Sequence, residues 1–240
     1  MIDVQEIGVS FGGVKALDKI SLSCAAGRIV GVVGPSGSGK STLLDAISGR
    51  HPLGSGSVSL AGIRVDGLSP HLVARRGLAR MYQEDRLFGR MTSLENALAG
   101  AYLLGEQTRA LESRARAALE SVGLLERSEA FVWDLAAGER RRLALARALV
   151  SDAPALVLDE PLRCLDGSEL ELVRARLVRA AAESRGRAIV ISDRDISACE
   201  GLCDRVLVLH AGKALAQGTF DEVVHDVDVR DAYLGVEWSQ

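Results

Sequence analysis

The sequence predicts an α/β fold with a helical lobe set into it, and three observations carry that prediction. Ile29-Val30-Gly31-Val32-Val33, Ala155-Leu156-Val157-Leu158 and Ala188-Ile189-Val190-Ile191 are short, nearly unbroken apolar runs. Such runs suit strands buried on both faces of a parallel sheet. The first run enters a glycine-rich loop, Gly34-Pro35-Ser36-Gly37-Ser38-Gly39-Lys40-Ser41-Thr42, followed by the helical stretch Leu43-Leu44-Asp45-Ala46-Ile47. Residues 91–130 carry helical periodicity and no strand signal.

Strand, glycine loop and helix in that order make a phosphate cradle. Glycines let successive amides converge on one point, and the helix adds its positive N-terminal end. The pattern GxxxxGK[ST] is met in full: Lys40 can reach β- and γ-phosphates, and the Ser41 hydroxyl can hold Mg²⁺. A Gly/Ser surface loop would have no use for Lys40. The expected ligands are therefore a nucleoside triphosphate and Mg²⁺.

Composition sets bounds. The 240 residues are 48% hydrophobic and 25% charged, enough for one large domain with a real core. A net charge of -3 gives no support for nucleic acid as the main partner. Cys24, Cys164, Cys199 and Cys203 are scattered. Cys199 and Cys203 fall one turn apart on an expected helix, without the second ligand pair a zinc site needs. No stretch approaches about 18 apolar residues, and the N-terminus has no basic-then-apolar signal. The expectation is a soluble chain, held at a membrane only through a partner.

In order, residues 2–9 alternate as a strand, Phe11-Gly12-Gly13 turn, and Val14 to Leu22 form a second extended segment. Phe11 is one of four phenylalanines and can either stack on a base or serve as a hairpin hydrophobe. The helix after Lys40 should end near Gly49, and His51 reads as a surface or capping residue. Residues 57–60 form a strand, Ser69 and Pro70 open a short helix, and residues 77–82 return as a strand. Gln83 stands at its end, where a side chain can meet metal-bound water or simply occupy a loop. Thr92 or Ser93 can cap the next helix, and Leu111, Ala115, Ala118, Leu119 and Val122 form a helical stripe. Small residues around Gly138 precede another helix, whose exposed N-terminus could meet an anion. Its Arg140-Arg141-Arg142 run, beside Glu139, reads as a solvated or salt-bridged face.

Asp159 and Glu160 close the apolar run at 155–158. Adjacent residues on a strand point opposite ways, so Asp159 can hold the metal shell with Ser41 while Glu160 orients the attacking water. Ser192-Asp193-Arg194-Asp195 end the next core strand at the same rim. They read either as site residues or as a solvated strand end that caps a helix. Strands at 206–209 and 214–217 and a helical tail complete the chain.

Motifs and order together resemble the nucleotide-binding subunit of ABC transporters, over about residues 4–236. The resemblance implies a P-loop NTPase fold of the ABC ATPase type with an antiparallel β subdomain. It divides a single domain, 1–236, into a core of 1–88 and 139–236 and a helical lobe of about 89–138, with 237–240 as a tail. It makes Phe11 the base-stacking aromatic and Gln83 the Q-loop glutamine, near metal and water. Leu135 to Glu139 become the signature motif, with Ala136, Gly138 and Glu139 facing nucleotide across a dimer. Asp159 becomes the Walker B aspartate and Glu160 the catalytic glutamate. Residues 11–17, 86–96 and 229–235 resemble the branched-chain amino acid importer ATPases, and the lipopolysaccharide exporter ATPase is similar too.

Three departures stand out. Ala136 replaces the usual signature serine, a loss of one donor on the order of 1–2 kcal/mol in the closed state. Ala137 replaces a glycine, which the subfamily tolerates. Counting back from Asp204-Arg205 puts Arg194 at the switch-histidine position, with a permanent charge and no acceptor. The resemblance implies an ATPase at the cytoplasmic face of the inner membrane. Its expected partners are transmembrane permease subunits and a second ATPase subunit, a heterodimer being favoured over a homodimer. A largely non-hydrolytic regulatory partner, a lipid exporter ATPase and a soluble repair or translation ATPase are the competing classes.

Overall fold

The computed structural model describes residues 1–102, 105, 108–183 and 186–234. Its strands are β1 (Ile2–Phe11), β2 (Val14–Cys24), β3 (Ile29–Val33), β4 (Ser55–Leu60), β5 (Ile63–Arg64), β6 (Leu78–Met81), β7 (Ala155–Asp159), β8 (Ala188–Asp193), β9 (Arg205–His210) and β10 (Lys213–Gly218). Its α-helices are α1 (Lys40–Ile47), α2 (Pro70–Arg75), α3 (Ser93–Gly100), α4 (Thr108–Ser121), α5 (Ala137–Val150), α6 (Gly167–Ala182), α7 (Phe220–Val224) and α8 (Val227–Leu234).

Two sheets result. The antiparallel sheet runs β2-β1-β4-β5, and the larger one β10-β9-β3-β8-β7-β6. In the larger sheet β9, β3, β8, β7 and β6 are parallel, and β10 returns antiparallel on β9. Alternation along the strands makes two cores. Ala155, Val157, Ala188 and Val190 face β1, β2, β4 and α1. Leu156, Leu158, Ile189 and Ile191 face a cluster that continues through Ala97, Ala115, Leu119 and Leu145 of α3, α4 and α5. The chain leaves β3, visits the far edge at β6, steps back through β7 and β8, and then crosses to β9 on the other side of β3. That reversal places the loops after β3 and β8 side by side, where open α/β sheets bind ligands.

Local chemistry sets the ends of several elements. Thr92 caps α3 in a reciprocal box: its hydroxyl accepts from the Glu95 amide at 3.2 Å, and Glu95 accepts from the Thr92 amide at 2.7 Å. Ser69 does not cap α2, because its hydroxyl pairs with His71 Nδ1 at 3.0 Å. Cys199 and Cys203 do not share a helix. A 3-10 segment, Ile196–Cys199, ends at the first, and Cys203 sits in the turn beyond it with its amide on the Cys199 carbonyl at 3.0 Å. The tail packs Val229 of α8 with Val206, Val208 and Val223. Gly235 and residues 237–240 lie outside the described residues.

Of the two readings of the arginine run, the salt-bridged one holds, and for Arg141 and Arg142 the solvated one does not. Arg141 and Arg142 are only 3% and 8% exposed. Arg141 donates to the Glu160 carbonyl at 2.7 Å, to Tyr82 at 3.0 Å and Gln83 at 3.2 Å, to the Asp159 carbonyl, and to Asp85 Oδ1 at 2.8 Å. Arg142 donates to the Val122 carbonyl at 3.0 Å and to Glu169 Oε1 at 2.7 Å. A guanidinium offers five donors in a rigid fork, enough to satisfy carbonyls that the ends of β6 and β7 leave over. Replacing Arg141 with Ala strands those acceptors and Asp85. We expect a loss of about 3 kcal/mol in urea unfolding, and a loss below about 1 kcal/mol would show that the fork does not hold the helix to the sheet.

Candidate functional site

The glycine loop closes tightly over the start of α1. A Cβ at Gly34 would strike the Leu209 carbonyl oxygen and come within 2.6 Å of Ser38 Oγ. One at Gly39, where φ is +106°, would come within 2.9 Å of the Ala16 carbonyl oxygen. Only glycine fits both places. Ser38 is buried, its amide on the Pro35 carbonyl at 3.2 Å and its own carbonyl on the Gly212 amide at 3.0 Å. The Leu43 amide returns to Gly39 at 2.8 Å. The Lys40, Ser41 and Thr42 amides precede it and, as the opening of a helix, have no intrahelical acceptor.

Lys40 is 6% exposed. Its Nζ donates to the Gly34 carbonyl at 2.6 Å and the Pro35 carbonyl at 2.9 Å. Burial holds its pKa below the ordinary lysine value, partly offset by the Glu160 charge. Beside it lies a cleft of about 410 Å³, lined among others by Gly37, Lys40, Ser41, Thr42 and Val14. A buried ammonium, converging amides and a hydroxyl around one cleft fit a polyphosphate. Ser36 is exposed at the loop tip. Phe11 is the last residue of β1 and not part of the turn, and it does not line this cleft. Its ring meets His51 edge-on with centroids 4.9 Å apart, and His51 Nε2 lies 3.6 Å from Asp45 Oδ2.

The second part of the site stands on β7 and β8, in register at Asp159 and Ser192. Asp159 is buried; Oδ1 accepts from Ser192 Oγ at 2.5 Å, and Oδ2 faces Arg80 at 3.2 Å. Arg80 also holds Asp45 of α1 at 3.3 Å, which ties the phosphate-loop helix to β7. Glu160 has left the strand with φ at +49°, an uncommon conformation for a residue with a side chain. Its amide bonds the Ser192 carbonyl at 3.0 Å. Its carboxylate, 6% exposed, accepts from Gln83 Nε2 at 3.3 Å and Arg194 Nε at 2.8 Å, with Arg163 3.7 Å from Oε2.

Gln83, Glu160 and Arg194 are thus brought together, as the order of motifs suggested. The neighbouring aspartates do local work. Asp193 accepts from the Arg194 and Asp195 amides at 2.7 and 3.0 Å, and burial raises its pKa. Asp195 caps the 3-10 segment through the Ser197 amide at 2.9 Å. The capping reading of the Ser192–Asp195 rim holds at Asp195, while Arg194 turns to Glu160 and Ser192 to Asp159.

Ala136, Gly138 and Glu139 line neither the phosphate cleft nor the cleft at Glu160 and Arg194. Ala136 is the N-cap of α5, and Glu139 Oε2 accepts from its amide at 2.9 Å. Alanine has no side-chain acceptor, so only the returning half of a capping box is made. Ala137 is the first helical residue and needs no positive φ. Gly138 lets Cys164 and Glu169 approach: a Cβ there would sit 3.0 Å from the Cys164 carbonyl oxygen. Arg80, Asp45 and Arg163 were not singled out from sequence, and each acts through a partner remote in the chain or three residues away.

Ser41, Asp159 and the Gln83 amide supply hard oxygen donors of the kind Mg²⁺ takes together with water and phosphate. Among the described residues no group of three or more His, Cys, Asp or Glu is placed to hold a metal alone. A cation here would be shared with the phosphates.

The geometry agrees with what the chain is similar to. The family model for the ABC transporter matches residues 17–163, and that for the branched-chain amino acid ATP-binding cassette transporter matches residues 215–239. The high-affinity branched-chain amino acid transport ATP-binding protein LivG of Salmonella typhimurium is 32% identical over 98% of both chains. BraF of Pseudomonas aeruginosa, of the same description, is 30% identical over 98% of both. The Fe(3+) ions import ATP-binding protein FbpC of Streptomyces avermitilis is 38% identical, over 93% of this chain and 64% of its own length. In fold, the ADP conformation of MJ1267, an ATP-binding cassette of an ABC transporter, superposes with a TM-score of 0.86 at 24% identity over 98% of both chains. Glycine loop, paired carboxylates and end-to-end likeness agree: this chain belongs to the ABC transporter family, as one of its ATP-binding subunits.

Proposed function

We propose that this subunit drives import of branched-chain amino acids or related small solutes. The observation that carries the reading is likeness from end to end, including the terminal segment 215–239, to subunits named for that transport. In this reading residues 1–236 form one ATPase domain, with about 89–138 as its lobe and α5 anchored to the core by Arg141. The subunit works at the cytoplasmic face of the inner membrane. No helix of the described residues is long and apolar enough to cross a membrane, so transmembrane permease subunits provide the path. A second ATPase subunit completes the pair, a heterodimer by analogy with the importers.

The residues divide the work. Gly34 to Thr42 cradle the phosphates, and Lys40 exchanges its loop carbonyls for phosphate oxygens. Bound Mg²⁺, held by Ser41, Asp159 and Gln83, would neutralise charge that develops on the phosphates. Glu160 orients the attacking water and accepts its proton at a carboxylate oxygen. Phe11 faces the base, and Ala136, Gly138 and Glu139 meet the partner's nucleotide across the dimer.

A second reading rests on one contact. Arg194 Nε lies 2.8 Å from Glu160 Oε1, where water would be held, so turnover at this site can be slow and the subunit largely regulatory.

Three outcomes follow. Lys40→Ala loses ATP binding in a filter assay, while Glu160→Gln keeps it and lowers turnover by about 100-fold or more. ATP turnover of the subunit assembled with its permeases rises when leucine, isoleucine or valine is supplied with the cognate binding protein. A flat response to all three removes the cargo assignment and leaves the ATPase. Under the second reading Arg194→His speeds single-turnover hydrolysis in the assembled transporter, and an unchanged rate rejects it.

A further inference from the structure

Phe11 ends β1 and stands directly across the ladder from Val14 of β2. Side chains opposite each other in an antiparallel pair share one side of the sheet. Val14 lines the cleft beside Lys40, so the Phe11 ring stands next to the mouth of that cleft. Both side chains are exposed, Phe11 at 45% and Val14 at 68%. Apolar surface at that place suits the flat face of a nucleotide base.

A ring so exposed stacks well only if its orientation is set beforehand, because ordering it on binding costs affinity. The ring that meets Phe11 comes from outside the hairpin. His51, in the loop after α1, packs edge-on against it, with centroids 4.9 Å apart and planes at 79°. His51 is placed in turn by α1: its Nε2 lies 3.6 Å from Asp45 Oδ2. Arg80 stands 3.3 Å from the other oxygen of Asp45, and Arg50 3.7 Å from the same one as His51. Asp45 belongs to the helix that opens with Lys40, Ser41 and Thr42. His51 thus joins an aromatic ring on the antiparallel sheet to the helix of the phosphate cradle.

We infer that His51 is a positioning residue for nucleotide binding: its ring backs Phe11, holding it ready to stack on the base in register with phosphates at Lys40. His51 itself does not line the phosphate cleft, so its effect reaches the base and not the phosphates. The inference rests on the reading above in which Phe11 faces the base. It adds the residue that orients Phe11 and the link from that residue to α1.

The test is a double-mutant cycle on the purified full chain, read by calorimetric binding with Mg²⁺ present. ADP and, separately, inorganic tripolyphosphate are titrated into the unaltered chain, His51→Ala, Phe11→Ala and the double variant. His51→Ala should weaken ADP about fivefold, the scale of one aromatic pair, and tripolyphosphate less than about twofold. Once Phe11 is Ala, the same change at His51 should cost ADP less than about twofold. Unchanged ADP affinity in His51→Ala overturns the inference, and so does an equal loss with and without Phe11. A loss on tripolyphosphate as large as on ADP also overturns it, since that marks a structural role. If Phe11→Ala binds ADP like the unaltered chain while Lys40→Ala does not bind it, the base-facing reading of Phe11 falls. The inference then falls with it, and the phosphate cradle stands.

Discussion

The buried fork of Arg141 is the contact on which the site depends. It starts on α5 and ends on the carbonyls of Asp159, Glu160, Tyr82 and Gln83. One guanidinium therefore fixes three things together: the helix behind the signature residues, the end of β7 and the loop carrying Gln83. It also explains how Glu160 persists with φ at +49°. A left-handed residue costs on the order of 1 kcal/mol. The carbonyl bonded by Arg141 and the amide bonded by Ser192 over-determine the turn. The strain aims the carboxylate off the strand axis, toward Gln83 and Arg194.

A second constraint links Asp159 to the helix that follows the glycine loop. Arg80, with its side chain 6% exposed, bridges Asp45 of α1 and Asp159 of β7. Losing one member of such a group leaves a buried charge alone, which is the expensive outcome in a low-dielectric interior. Arg80 also packs over Tyr82, 5.1 Å from the ring centroid, next to Gln83. Tyr82, next to Gln83, is thereby packed on the arginine that holds the carboxylates of β7 and α1.

Much of the architecture was legible because its determinants are local. The apolar runs of β3, β7 and β8 declare buried strands, and the glycines between β3 and α1 permit one kind of loop. Asp159 and Glu160 could be placed near that loop because the first ends β7 and the second follows it, although Glu160 has turned off the strand and so does not simply point opposite to Asp159. Of the two readings of the arginine run, the salt-bridged one holds and the solvated one fails, for the opposite reason. A charge run looks solvated when only its neighbours in sequence are counted, whereas the acceptors of Arg141 lie 18 to 59 residues away. One signal was present: Arg141 stands four and seven residues before Leu145 and Ala148, on the buried side of α5. Cys199 and Cys203 misled through spacing, since a four-residue interval fits a helix and equally a 3-10 segment running into a turn. Phe11 could not be settled by spacing, and its ring lies against His51.

Arg194 shows where local and remote information meet. Counting along the motif located the residue, but its meaning came from the partner. A neutral imidazole there could accept as well as donate; a guanidinium only donates, so it must find an anion. Among the groups it can reach, the carboxylate of Glu160 is the one already held rigid from behind by Arg141 and Ser192. Rigidity on one side and exposure on the other make the ion pair directional. An arginine at this position therefore does more than remove a possible proton carrier: it sets a permanent cation against the carboxylate of Glu160.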